Sequence, residues 1–309
     1  MIITLTGINE YQTRQTLDAL VEQFTHKHGP HSVERLDGEA LETHRLTEML
    51  QGVSLFATER LIVLRGAAKN KILWDTLAQW LERIPDETTL VVVEPALDKR
   101  TKTYKALQKL SDFRDHGDVS EGALVTWLQQ QAAVFGGQID NKTARYLLDR
   151  VGTDQWKLSN ELQKLSNYQP TITIAAIDEL TDSTPQASAF ELLDAALAGK
   201  PAVVTQLLGK LAAAEDPYRF FGLLVSQVQA LALVQSAGNR AADAIAKEAG
   251  LHPFVVRKTQ SLAKTIEHAV VALMIEAVAR CDDQLKSTGA DPWFLLEQCL
   301  GKIASQARA

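Results

Sequence analysis

The run Leu90-Val91-Val92-Val93 decides the fold of the first part of this chain. Three of its four residues are β-branched, and Thr89 and Glu94-Pro95 close it on either side. A short apolar run of this kind predicts a strand that is buried on both faces. Two similar runs lie upstream, at 61–64 and 2–5. Together the three runs predict the centre of a sheet.

Helical patterns separate these predicted strands. Apolar residues at helical spacing predict helices over 11–24, from Leu41 through Leu50 to Val53, over 72–84 and over 102–110. Buried strands that alternate with helices are typical of a parallel α/β sheet. After about residue 120 the strand signals nearly vanish, and the rest of the chain has helical periodicity.

The composition fits an ordinary globular protein of about two or three domains. The 309 residues are 46% hydrophobic and 23% charged, and the formal net charge is −6. This balance excludes a disordered chain, a disulfide scaffold and a protein that binds DNA through a uniformly basic surface. Cys281 and Cys299 are predicted to be buried thiols in a reducing compartment.

No segment predicts a secretory signal or a membrane span. The first seven residues lack a basic region and a long apolar run. The longest charge-free stretch, 220–239, contains several Gln and Ser residues, so we interpret it as a buried helix rather than a membrane helix. We therefore expect a cytoplasmic protein with no membrane role.

The turn after the first strand is where a phosphate-binding loop would lie. Gly7-Ile8-Asn9 supplies one glycine, whereas such a loop needs several, together with a Lys that reaches the terminal phosphate. Glu94 and Pro95 follow the strand at 90–93, without an Asp that would hold magnesium. The sequence therefore predicts no ATP hydrolysis, no catalytic residues and no cofactor.

The best metal candidate is the segment with His26, His28 and His31. Three His in six residues could ligate a metal, but we interpret the segment as a solvated loop around Gly29-Pro30 because neither a Cys nor paired carboxylates lie nearby. We therefore predict no metal site.

Two other segments have alternative interpretations. Ala246, Gly250, Leu251 and Val256 have the spacing of a helix-turn-helix core, although a structural helical corner is the simpler interpretation because only Arg257-Lys258 could reach DNA. The segment 52–57 contains Leu55-Phe56 between a helix and a strand. These residues either pack inward or form an exposed apolar anchor for a partner.

These segments belong to a set of motifs that resembles the delta subunit family of the bacterial DNA polymerase III clamp loader. The motifs are spread over nearly the whole chain and occur in the family's order. They are Gly7-x-Asn9-x-Tyr11, Ser54-Leu55-Phe56, Arg60 to Leu64, Leu97 to Arg100 with Tyr104, Lys105 and Leu107, Asn160 to Leu165, Ile172-Thr173, Phe190 to Ala195, Gly250 to Lys258, and Asp283-x-Leu285-Lys286.

The resemblance implies three domains. Residues 1–121 would be an AAA+-type (RecA-like) α/β domain without a functional phosphate loop, residues 122–185 a helical lid, and residues 186–309 an all-α collar for oligomerisation. It also implies partners: the beta sliding clamp, the gamma/tau and delta prime subunits in a hetero-pentamer, and primed DNA. The function implied is to open the clamp for loading, while other subunits hydrolyse ATP.

The resemblance also implies site residues. Leu55 and Phe56, with Ser54 beside them, match the residues that insert into the clamp's hydrophobic pocket. The basic cluster, Lys99, Arg100, Lys102 and Lys105, is either a solvated helix start or a contact with the DNA backbone. Two alternative functions stay open: a helix-turn-helix DNA regulator that uses residues 241–263, and an NTPase with a degenerate site.

Overall fold

The computed structural model describes residues 1–51, 59–251 and 253–306. The chain divides into two compact units, Met1–Ser120 and Glu121–Ala309. The first unit contains a five-stranded sheet, and the second is built from helices. The predicted α/β class, with a helical remainder, is confirmed.

The sheet of the first unit is entirely parallel. Its strand order is β2-β3-β4-β1-β5, so the first strand lies between the last two. The strands are β1 (Ile2–Thr6), β2 (Val33–Asp37), β3 (Arg60–Arg65), β4 (Thr88–Glu94) and β5 (Asp112–Asp115). The three predicted runs are the three central strands. The two edge strands, β2 and β5, were not predicted.

Helices cover both faces of the sheet. They are α1 (Glu10–His28), α2 (Thr43–Gln51), α3 (Lys71–Trp80) and α4 (Lys102–Leu110). Alternate strand residues, such as Ile3, Leu5 and Val63, pack against Leu17 of α1. The intervening residues, such as Ile62, pack against the helices of the other face, α2, α3 and α4. Burial on both faces explains why the central strands are apolar runs without alternation.

The histidine segment differs from its prediction as a loop. His26 and His28 lie in the last turn of α1, and the ring of His28 is 4.5 Å from the ring of Phe24. Gly29 ends the helix with a φ of +87°, and His31 follows in a short 3-10 turn. A helix C-terminus favours basic side chains because it carries partial negative charge. The prediction of a loop was wrong because the helix continues to the glycine.

The second unit begins with four helices that have their own buried residues. They are α5 (Glu121–Val134), α6 (Asn141–Val151), α7 (Gln155–Tyr168) and α8 (Ile174–Leu180). Leu128, Leu147, Leu162 and Ile177 are fully buried among them. Side chains of Asp140, Asp154 and other polar residues cap the helix starts, as their sequence positions favour.

The remaining helices form a larger bundle. They are α9 (Pro185–Leu197), α10 (Pro201–Ala212), α11 (Pro217–Ala237), α12 (Ala242–Ala249), α13 (Pro253–Ala263), α14 (His268–Ser287) and α15 (Pro292–Gln306). Most begin with proline, whose missing N–H is not needed at a first helical position.

Helix α11 is the central helix of this bundle. It buries Phe220, Leu224, Val228 and Leu231, which confirms the predicted buried helix at 220–239. Its length and its mean hydropathy of 1.5 would also suit a membrane span, but helices of the same bundle cover its apolar side. Cys281 and Cys299 are free and buried in the same core, as predicted.

Candidate functional site

The segment with Ser54, Leu55 and Phe56 lies outside the described residues, but both of its flanks are described. On the amino-terminal side, Leu46 and Leu50 of α2 are fully buried in the core that α2 shares with α3. The helix therefore holds the chain firmly up to the point where the segment begins.

The carboxyl-terminal flank is held by an ion pair. Arg60, the first residue of β3, is 8% exposed, and its Nη2 is 3.0 Å from Glu34 Oε1. Its backbone N–H donates to the Glu87 carbonyl at 2.9 Å. Arg60 pairs with Thr88, the first residue of β4, so this flank lies at the amino edge of the sheet. The carboxyl-terminal flank of the candidate anchor is therefore fixed at that edge.

The opposite, carboxyl edge of the sheet is where parallel α/β sheets bind ligands. The turn from β1 to α1 is closed there by backbone hydrogen bonds. The N–H of Gly7 donates to Pro95 O at 3.2 Å, and the N–H of Asn9 donates to His116 O at 2.9 Å. The Asn9 side chain caps α1 by accepting from the N–H of Gln12. Protein acceptors thus occupy amides that a phosphate loop would present to its ligand.

Gly7 makes this closure possible. Its φ of +111° lies in the range that favours glycine, and a Cβ at this position would be 2.1 Å from His116 O. The turn at Gly7, directly after β1, and the segment after β5 therefore approach each other too closely for any side chain.

Glu94 closes the neighbouring part of the same edge. It is 2% exposed, and Oε1 accepts from the N–H of Ala68 at 3.0 Å. Burial raises the pKa of Glu94, while the N–H groups of Ala68 and Ala67 and the charge of Lys69 oppose the rise. From the sequence, Glu94 stood out only as the residue in place of a magnesium-binding Asp, and its structural role was not predicted. The signal that could have indicated this role is an acidic residue that directly ends a buried strand.

The basic cluster lies at the start of α4. Lys99, Arg100, Lys102 and Lys105 are all exposed. The Arg100 guanidinium donates to both carboxylate oxygens of Asp98, at 2.9 Å from Nε to Oδ1 and from Nη2 to Oδ2, and it lowers the pKa of Asp98 to about 2. Asp98 therefore offsets the charge of Arg100.

The structure keeps the basic cluster apart from Arg60, the described flank that begins β3. The basic cluster follows β4 at the carboxyl edge of the sheet, whereas Arg60 lies at the amino edge. Strands of five to seven residues separate the two edges by roughly 17–23 Å, at about 3.3 Å per residue.

The helix-turn-helix candidate is α12, Gly250 and α13. Gly250 has a φ of +65° and ends α12, and Leu251 donates its N–H to Ala246 O at 2.9 Å. His252 lies outside the described residues. Arg257 contacts Glu121 and Asp243, and Lys258 contacts Asp149, so the proposed DNA-reading cations are engaged within the chain. This favours the structural corner.

Two family models match the chain. The model described as "DNA polymerase III, delta subunit" matches residues 4–114, and the one described as "DNA polymerase III delta subunit, C-terminal domain" matches residues 186–303. The two matches follow each other in order and together span most of the chain.

Individual proteins are also similar to this chain. The DNA polymerase III subunit delta of Bacillus subtilis is 23% identical over 232 residues, which is 72% of this chain and 66% of the relative, just under two thirds of its length. The solved structure of the Bacillus subtilis DNA clamp loader delta protein matches with a TM-score of 0.71 and 19% identity, over 98% of this chain and 95% of that one. A Thermotoga maritima RuvB Holliday junction branch migration motor matches with a TM-score of 0.38 and 11% identity, over 81% and 74%.

Proposed function

Because the chain belongs to the DNA polymerase III delta subunit family, we propose that it binds and opens the beta sliding clamp so that the clamp can be loaded onto primed DNA. The observation that supports this proposal is that both family models match in order, on a fold that resembles a clamp loader delta protein over nearly its full length. The proposed function is therefore mechanical, because the free energy of binding would be used to open the beta sliding clamp.

The proposed contact with the clamp is made by Leu55 and Phe56, with Ser54 beside them. Burying a Leu and a Phe contributes roughly 3–6 kcal/mol, and a micromolar complex needs about 8 kcal/mol. Two apolar anchors with a polar rim are therefore sufficient. The fixed flanks support this role because a segment with held ends loses less conformational entropy when it binds.

We propose that the chain is a non-catalytic, cytoplasmic subunit without a cofactor. The closed carboxyl edge supports the absence of a nucleotide cofactor, because a nucleotide would have to displace the hydrogen bonds from Gly7 to Pro95 and from Asn9 to His116. Other subunits of the complex, gamma/tau and delta prime in a hetero-pentamer, would then bind and hydrolyse ATP.

The three-domain division is part of the same proposal. Residues 1–121 would bind the clamp, residues 122–185 would form the lid, and residues 186–309 the collar. One buried core of the second unit supports the last boundary, because α9, α10, α11, α14 and α15 share it and residues 121–180 contribute no side chain to it.

The basic cluster would contact the phosphate backbone of primed DNA. Its exposure and its place at a helix start support this, because helix N-termini favour anions. The helix-turn-helix regulator is a weaker alternative, since Arg257 and Lys258 have acidic partners within the chain.

A pull-down with the purified beta clamp tests the main proposal. The full-length chain should retain the clamp, and it should bind neither ATP nor a specific DNA sequence when it is alone. Retention of labelled ATP would favour the degenerate NTPase, and sequence-specific DNA binding without the clamp would favour the regulator. Failure to retain the clamp would contradict the proposal.

A further inference from the structure

Two adjacent cations on α13 connect four other helices of the second unit. We call Arg257 and Lys258, with their partners on α5, α6, α9 and α12, the basic joint. The joint lies where the helices of residues 121–180 meet the C-terminal helices. Helices α9, α10, α11, α14 and α15 share a buried core to which residues 121–180 contribute no side chain.

Lys258 lies between α6 and α9. Its Nζ is 3.4 Å from Asp149 Oδ1 on α6 and 4.8 Å from the ring centroid of Phe190 on α9. Phe190 is 5% exposed, and the Lys258 side chain is 28% exposed. The ammonium group also lies near Asp194 of α9: burial raises the pKa of Asp194, and the charge of Lys258 opposes the rise. Lys258 therefore contacts residues of both groups of helices, α5–α8 and α9–α15.

Arg257 reaches the other end of the same boundary. Its Nε is 3.8 Å from Oε2 of Glu121, the first residue of α5, and its Nη1 is 3.2 Å from Asp243 Oδ1 on α12. Glu121 is also 3.6 Å from Arg145 Nη1 on α6. The guanidinium thus ties the start of α5 to the α12–α13 corner.

The linker between the two groups of helices is held independently. Arg150, which follows Asp149 on α6, donates to the Thr181 carbonyl at 2.9 Å from Nη2 and 3.1 Å from Nε. The N–H of Thr184 donates to the Arg150 carbonyl at 3.0 Å, and Thr184 caps α9. The residues around the basic joint therefore have fixed backbone positions, which lets the joint determine an orientation.

Exposed ion pairs contribute little to the free energy of unfolding. Such pairs do restrict geometry, however, when several of them share the same two side chains. Because Asp149 and Asp243 are more than half exposed, we expect the joint to contribute little to the free energy of unfolding.

We propose that Arg257 and Lys258 are positioning residues that hold helices α5–α8 and α9–α15 as one body. A displacement of the C-terminal helices by a neighbouring subunit is then passed on to α5–α8. The holding role rests on the contacts alone, whereas the transmitted displacement rests on the function proposed above.

Hydrogen exchange on the full-length chain tests the holding role. Lys258→Met should accelerate amide exchange at least fivefold in the last turn of α6 and the first turn of α9, and leave α14 unchanged. Asp149→Asn opens the same contact from the other side and should have a similar effect, so the test does not depend on one variant folding. Lys258→Arg keeps the charge and the contact with Phe190, and should restore slow exchange.

Arg280→Met is the matched control because the ion pair of Arg280 with Glu276, at 3.8 Å, lies within α14. Unchanged exchange in both Lys258→Met and Asp149→Asn would overturn the holding role, as would an equal acceleration in the control.

Clamp loading by the reconstituted complex tests the transmitted displacement. Lys258→Met should bind the clamp within twofold of the wild-type chain but load it at least fivefold more slowly, and Lys258→Arg should restore loading. Equal loading by Lys258→Met and the wild-type chain would overturn transmission. If the wild-type chain itself fails to bind the clamp, the proposed function fails, while the exchange result still decides the holding role.

Discussion

At the scale of single residues, Gly7 shows how one missing carbon shapes the carboxyl edge of the sheet. Its backbone lies in the left-handed range, and the His116 carbonyl occupies the space of a side chain. Pattern analysis could identify the glycine as a turn residue. It could not identify His116 as the neighbour, because the two residues are more than a hundred positions apart and meet only through the sheet.

Gly7→Ala should lower the free energy of unfolding of the first unit by about 2–4 kcal/mol, because the new Cβ combines backbone strain with a clash against a carbonyl. Urea unfolding followed by circular dichroism measures the effect. Gly29→Ala is the control: Gly29 also has a positive φ, +87°, but no atom lies within 4 Å of its would-be Cβ. The control should cost about 1 kcal/mol. Equal losses would contradict the close approach.

Phe56→Ala should weaken binding to the beta clamp at least tenfold, because it removes most of the apolar area of one anchor; a tenfold change corresponds to about 1.4 kcal/mol. Surface plasmon resonance measures the affinity. Ile72→Ala removes another apolar side chain of the first unit, one that is 72% exposed, and should leave affinity unchanged. Unchanged affinity in Phe56→Ala with an intact thermal midpoint would remove Phe56 from the contact.

His116 should make the first unit less stable in acid. Burial lowers the pKa of this half-buried imidazole below the ordinary 6.5, the charge of Arg114 adds to the effect, and Asp115 opposes it. The folded state then binds fewer protons than the unfolded state, so its stability is complete above about pH 6.5 and is lost as the pH falls through the folded pKa. Thermal midpoints between pH 7.5 and 5 should therefore fall less for His116→Gln than for the wild-type chain. His44→Gln, at an exposed site, should follow the wild-type chain, and parallel curves for all three would contradict the expectation.

At the scale of elements, prediction from sequence succeeded where burial is complete. The central strands β1, β3 and β4 are buried almost throughout, so their apolar runs are unambiguous. The edge strands β2 and β5 read Val-Glu-Arg-Leu-Asp and Asp-Phe-Arg-Asp, with half-exposed patterns. Only pairing with a neighbouring strand identifies such polar segments as strands, and one sequence does not show that pairing.

The helix ends were predictable where local signals set them. Helix α4 begins and ends at the predicted residues, and Thr101 caps it by accepting from the N–H of Tyr104. Helix α3 ends at Trp80, Leu81–Arg83 form a 3-10 turn, and Ile84 is extended before Pro85. A residue before proline avoids helical backbone angles, which accounts for the extended backbone of Ile84.

The basic cluster on α4 should contribute to the salt dependence of DNA binding by the assembled complex. Replacing Lys99, Arg100, Lys102 and Lys105 with Gln should flatten the slope of log affinity against log salt by up to about 3, since each phosphate contact contributes roughly 0.9. Arg100 should contribute least because Asp98 already pairs with it. Lys109→Gln, at the far end of the same helix, is the control. A slope that stays unchanged in the fourfold variant would leave the cluster as a solvated helix start.

At the scale of the whole molecule, the sequence predicts the boundary between the two units better than it predicts contacts between distant residues. The change from strand to helix signals near residue 120 is visible because the two classes have different periods. The candidate site was predicted only through the resemblance, since the pattern alone favours a buried core for Leu55 and Phe56, and it stays a prediction. The roles of Arg257 and Lys258 could not be predicted, because their partners lie on helices that are distant in sequence.

The strand order also has a consequence for how the chain is made. The first strand to leave the ribosome, β1, pairs with the two strands that leave last, β4 and β5. Its buried apolar residues, Ile2, Ile3 and Leu5, have no strand partner until β4, which begins at Thr88, has emerged. Nascent chains of this kind expose an apolar, aggregation-prone segment during synthesis. We therefore expect chaperones to bind the amino terminus of translation intermediates stalled before residue 88, and to release it once β4 has been synthesised.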